Sequence, residues 1–71
     1  MENEIKLKVG DAFYIKNDPR KYHVIEILEK ERYPQVVLKY YGKHKQWWHY
    51  EIEPKFSIIE RLRIGLYRRE P

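Results

Sequence analysis

Val36-Val37-Leu38-Lys39-Tyr40-Tyr41-Gly42-Lys43-His44-Lys45-Gln46-Trp47-Trp48-His49-Tyr50-Glu51-Ile52-Glu53 is the stretch from which the fold is read. Two runs of β-branched and aromatic residues flank a polar segment that begins with a glycine, the pattern of a β-hairpin. Both tryptophans lie in it, and from Arg32 to Tyr50 there is no acidic residue. A loop of odd length, such as Gly42-Lys43-His44, puts Val36, Leu38 and Tyr40 on one face with Trp48, Tyr50 and Ile52, and this set is expected to face the core. Val37, Lys39, Tyr41, Lys45, Trp47, His49 and Glu51 then form an outer face of aromatic and basic groups. An even-length loop would mix the two sets.

On the N-terminal side, Ile5, Leu7, Val9, Phe13 and Ile15 alternate with polar residues. They predict a first strand kinked at Gly10. Asn17-Asp18-Pro19-Arg20 reads as a turn, with Asn and Asp side chains as acceptors for the backbone. Tyr22 to Leu28 is a second strand, apolar on both parities, which predicts a bulge or a barrel corner. The charged segment from Glu29 to Tyr33-Pro34 is its hairpin tip. A helix over residues 25–32 is the rival, but it lacks a capping residue and is hemmed by Pro34.

On the C-terminal side, Glu53-Pro54-Lys55 breaks the hairpin. Phe56, Ile58, Leu62, Ile64 and Leu66 then alternate as a last strand, whereas Ile58, Leu62 and Leu66 alone fit a helical stripe. Residues 57–66 are therefore strand or helix, and residues 67–71, with Arg68 and Arg69, are a frayed basic tail.

The chain of 71 residues makes one domain, with a core over about 5–66, near the size at which a single hydrophobic core just suffices. With no cysteine, neither a disulfide nor a thiolate metal site supports it. Charges of both signs are interspersed, as in a folded domain. No apolar run is long enough to cross a bilayer and the N-terminus has no signal character, so no membrane partner is expected and a cytoplasmic location is the default. The net charge of +4 favours an acidic partner, nucleic acid foremost.

The expected fold is all-β: a small five-stranded, partly open barrel, with a C-terminal helical turn as the alternative to the last strand. The chain resembles the SH3-like barrels of prokaryotic and viral type, including the KOW and Tudor-like groups. The resemblance lies in Lys8-Val9-Gly10-Asp11-Ala12-Phe13, in Tyr22-His23-Val24-Ile25-Glu26-Ile27 and in Tyr50-Glu51-Ile52-Glu53-Pro54. It implies a binding module for nucleic acid or for protein segments. Where a KOW motif has a second glycine near the first turn, this chain has Asp18-Pro19-Arg20-Lys21. The loop by which eukaryotic SH3 domains grip proline-rich peptides has no counterpart.

No catalytic constellation is visible: there is no Ser/His/Asp or Cys/His set, glycine-rich phosphate loop or paired buried acid. Glu26, Glu29 and Glu31 sit among lysine and arginine, as on a solvated face. His23, His44 and His49 do not have metal-ligand spacing. No enzyme activity, cofactor or metal is expected. The candidate binding residues are Lys39, Tyr41, Lys43, Lys45, Trp47 and His49, joined by Arg61 and Arg63 if the closing strand lies alongside. Rings stack on bases while lysines meet phosphates of single-stranded or duplex nucleic acid. The alternative reading is a protein-interaction module or small regulator, since exposed Trp, Tyr and Arg also suit protein interfaces. Either way the chain is expected to be a monomer or weak homodimer, with an open sheet edge available for pairing.

Overall fold

The computed structural model describes residues 5–30, 32–42 and 47–69. Strands β1 (Ala12–Ile15), β2 (Lys21–Leu28), β3 (Gln35–Gly42) and β4 (Trp47–Pro54) are followed by helix α1 (Lys55–Arg63) and strand β5 (Tyr67–Arg69). All neighbours pair antiparallel, in the order β4-β3-β2-β1-β5. Among the described residues β4 and β5 make no ladder with each other, so the sheet is not closed. It is an all-β fold with one short helix, as expected.

Leu7, Phe13, Tyr22, Val24, Val36, Leu38, Ile58 and Tyr67 form the core, with Ile15, Ile27, Tyr40 and Leu62 packed against it. Full burial of a side chain such as Phe13, Leu38 or Ile58 is worth about 1.5–3 kcal/mol. The strand members share one face of the sheet, the inner face, against which Leu7 and, from α1, Ile58 and Leu62 pack.

The β3–β4 register corrects the expected hairpin. Leu38 pairs with Glu51, Tyr40 with His49 and Gly42 with Trp47, so four residues separate the last pair and the loop is even. Parity then puts His49, Glu51 and Glu53 on the inner face with Leu38. Trp48, Tyr50 and Ile52, expected in the core, are instead 41%, 64% and 60% exposed on the outer face. Glu53 can face inward because it meets partners there: Arg61 Nη1 donates to its Oε1 at 2.6 Å and the Tyr67 hydroxyl donates to its Oε2 at 3.4 Å. A carboxylate that is paired and bonded no longer has to seek water.

Residues 55–63 are helix, not strand. The i, i+4 pair Ile58 and Leu62 reaches the core, while Phe56, Ile64 and Leu66, which a strand would have shared with Ile58, are exposed. The helix has no side-chain N-cap, and Arg61 and Arg63 stand in its last turn, where the helix dipole favours positive charge. The tail expected over residues 67–71 is likewise corrected. Tyr67–Arg69 form β5 on β1, and Tyr67 is buried.

The first strand is shorter than its alternation suggested. Val9 and Gly10 form a turn, closed by a bond from Asp11 N to Lys8 O of 3.1 Å, and Gly10 takes φ +99°. The predicted bulge in β2 lies between Val24 and Glu26. In the β1–β2 turn, Arg20 N donates to Asp18 Oδ1 at 2.9 Å, the side-chain acceptor expected there. The rival helix over residues 25–32 does not form, because Ile25 to Leu28 belong to β2.

Candidate functional site

Strand pleating gives the sheet two faces of different chemistry. On the inner face, one ring from each strand stacks on the next in strand order. Tyr67 and Phe13 are 4.8 Å apart, Phe13 and Tyr22 5.8 Å, Tyr22 and Tyr40 4.8 Å, and Tyr40 and His49 5.2 Å. Interplanar angles are between 18° and 22° along this row. At its β5 end the row meets α1, where the Arg61 guanidinium lies 5.5 Å from the Tyr67 ring centre, and Arg20 covers its β2–β3 stretch, 4.9 Å from the Tyr40 ring centre and 5.7 Å from that of Tyr22.

Arg20 is itself occupied. Its Nε and Nη2 donate to Asp18 Oδ2 at 2.9 and 2.5 Å. Those bonds hold the Asp18 carboxyl below the usual carboxylate range and raise the guanidinium pKa. Arg61 is committed in the same way to Glu53 and to the Tyr67 hydroxyl, which it reaches at 3.1 Å. These cations already have carboxylate partners.

The outer face is assembled from the complementary positions of all five strands. Arg68 pairs with Tyr14, Tyr14 with Lys21, His23 with Lys39, Lys39 with Tyr50, and Tyr41 with Trp48. Several of its side chains gather around Trp48 at the β4 edge. Lys39 Nζ lies 4.5 Å from its ring centre, while Tyr41 and His23 meet it edge-on at 5.4 and 6.0 Å. At the β1 side, Lys21 Nζ lies 6.0 Å from the Tyr14 ring. Among the described strand residues the one carboxylate on this face is Glu26, opposite Val37. The even hairpin loop produces that segregation, since it turns Glu51 and Glu53 inward.

The residues expected to form a site fall into four groups. Lys39 and Tyr41 lie on the outer face. Trp47 is exposed but opposite Gly42 on the inner parity, and His49 is half-buried in the inner row. Arg61 and Arg63 are on α1, Arg63 paired at 3.3 Å with Glu60. Lys43 and Lys45 lie outside the described residues. An odd loop would put Trp48 and Tyr50 in the core, and no local sequence pattern brings Tyr14, Lys21, His23 and Arg68 to the site. Their signal was the outward parity of Tyr14 in β1, which gains meaning only once β5 is known to pair there.

Among the described residues there is no cluster of three His, Cys, Asp or Glu able to hold a metal ion. No described helix is long and apolar enough to cross a membrane. Comparison of the chain with protein-family models, curated proteins and solved structures finds no match.

Proposed function

We propose that this chain is a small cytoplasmic, non-enzymatic module that binds single-stranded nucleic acid across the outer face of its sheet. The carrying observation is that this face gathers rings and basic groups from all five strands, while Glu51 and Glu53 of β4 point the other way. Exposed rings on a sheet stack on unpaired bases, and neighbouring cations neutralise the phosphates between them. Tyr50 and Trp48 serve as the platform, with Tyr14 and Tyr41 beside them. Lys39, Lys21 and Arg68 contact the backbone. Bases in a duplex are already stacked, so single strands are preferred. The order β4-β3-β2-β1-β5, with a helix before a last strand that returns to β1, supports the SH3-like reading of the sequence.

The test is a fluorescence titration of a Trp47→Phe variant, in which Trp48 is the remaining tryptophan, with a short single-stranded oligonucleotide. A saturating change is expected, with affinity falling with salt at a log-log slope of about −0.7 per phosphate contacted. Tyr50→Ala is expected to weaken binding by about 1–3 kcal/mol. A folded protein whose Trp48 emission does not respond at low salt overturns the reading.

Docking on a protein is the second reading, favoured by Phe56, Ile64 and Leu66, which are exposed on and just after α1, away from the sheet's outer face. Under that reading a Phe56→Asp variant loses the partner and oligonucleotides have no effect.

A further inference from the structure

We propose that two copies of this chain pair antiparallel along β4, in the register that sets Tyr50 opposite Tyr50 of the second copy. The two edges of the sheet differ sharply. Strand β5 has three residues, of which Arg68 and Arg69 are exposed cations; shortness and charge are the usual protections of an edge. Strand β4 has eight, pairs with β3 without a register shift, carries no lysine and has its proline only at the last position. Its outer side presents Trp48, Tyr50 and Ile52, all exposed. A long, flat, apolar edge is a template for another strand.

The charges on the inner side choose the partner and the register. Arg61 already holds the Glu53 carboxylate, so the register is decided by the side chains from Trp48 to Ile52. Centred on Tyr50, the two-fold arrangement sets Trp48 opposite Ile52 of the other copy and His49 opposite its Glu51. Apolar side chains then meet across the outer face, and each Glu51 gains an imidazole. Shifting the centre to Glu51 sets two carboxylates opposite each other, and shifting it to His49 sets the two imidazoles together. Shifts that place Tyr50 opposite Glu51 put inner side chains against outer ones. The Tyr50-centred register is the one that sets apolar side chains against each other on the outer face and an imidazole beside each Glu51 on the inner face. The joined sheet also doubles the aromatic outer face.

Pairing along β4 does not depend on nucleic acid, and its test contains none. Sedimentation equilibrium of the full chain is expected to show mass rising from 8.9 kDa toward the dimer as concentration is raised from micromolar to millimolar. Tyr50→Lys, which sets two ammonium groups opposite each other, is expected to keep the chain monomeric. Because the chain has no cysteine, single substitutions report the register. Under mild oxidation Tyr50→Cys is expected to form a disulfide dimer. Trp48→Cys is not, since its sulfurs would lie four residues apart, about 13 Å along the strand. A mass that stays at 8.9 kDa over the whole range overturns the proposal. So does a dimer unaffected by Tyr50→Lys, or one in which Trp48→Cys cross-links as fast as Tyr50→Cys.

Discussion

Gly42 and His49 show how tightly the hairpin end is fitted. A Cβ built on Gly42 would lie 2.6 Å from His49 Nε2 and 2.7 Å from its Cδ2, closer than real atoms approach. The imidazole packs over the glycine and stacks on Tyr40. Gly42→Ala therefore displaces the ring, losing a stack worth about 0.5–1.5 kcal/mol. Alanine loses less backbone entropy in a strand than glycine, an offset of about 0.5–1 kcal/mol. The net loss of stability in urea denaturation is expected to stay below about 1 kcal/mol, because the displaced atoms belong to a side chain that can swing outward. The ring displacement itself is read by NMR, as a shift of the His49 ring protons out of the Tyr40 ring current. Unmoved His49 resonances in the variant would contradict the close packing.

Among the elements, α1 carries the chain from β4 to β5. Its C-cap Ile64 donates its backbone N–H to Glu60 O at 3.0 Å, and the next residue, Gly65, takes φ +88°. Among the described residues nothing lies within 4 Å of a Cβ at Gly65, so Gly65→Ala tests backbone conformation. A loss of about 1–2 kcal/mol is expected, lowering the melting temperature by roughly 4–8 °C per kcal/mol for a domain this small. Gly65→Asn should lose less, because asparagine tolerates the left-handed region. The sequence made strands β2 and β3, the bulge and the first turn legible, because the alternation of β3, the apolar residues on both parities of β2, and Pro19 and Asp18 are local signals. It could not fix α1 against a strand, since Ile58 and Leu62 satisfy both periods and the decision rests on what lies beneath them. The hairpin face was misread for the same kind of reason. Apolarity alone put Trp48, Tyr50 and Ile52 inside, whereas Glu53 turns inward toward Arg61 and Tyr67, eight and fourteen residues away in the chain. The candidate site was legible as a composition, basic and aromatic, and at Lys39 and Tyr41. Its membership from β1, β2 and β5 depends on pairings that no local pattern encodes.

At the scale of the molecule, the row of rings crosses every strand and couples the sheet to the ionisation of two phenols within it. Burial raises the pKa of both Tyr22 and Tyr67 above the ordinary 10.0, and the Glu51 and Glu53 carboxylates, respectively, push in the same direction. Both rings flank Phe13, so a phenolate at either position would put charge into the row. In the unfolded chain each phenol loses its proton near its ordinary value, while in the folded chain it keeps the proton to higher pH. The stability these groups contribute is therefore fully present below about pH 10 and falls as pH rises from there toward their folded values. The slope can reach about 1.4 kcal/mol per pH unit for each tyrosine. Against a total of roughly 4–10 kcal/mol for a chain of this length, a slope of that size is large enough to be read in denaturation. Urea denaturation from pH 7 to 12 should show this decline. In an absorbance titration at the phenolate band, Tyr22 and Tyr67 should ionise late and in step with the loss of circular dichroism. Tyr22→Phe keeps a ring in the row but removes one of the two protons, and is expected to reduce the alkaline slope by about half. An identical slope in that variant would mean that the ring row holds the sheet together without sensing pH.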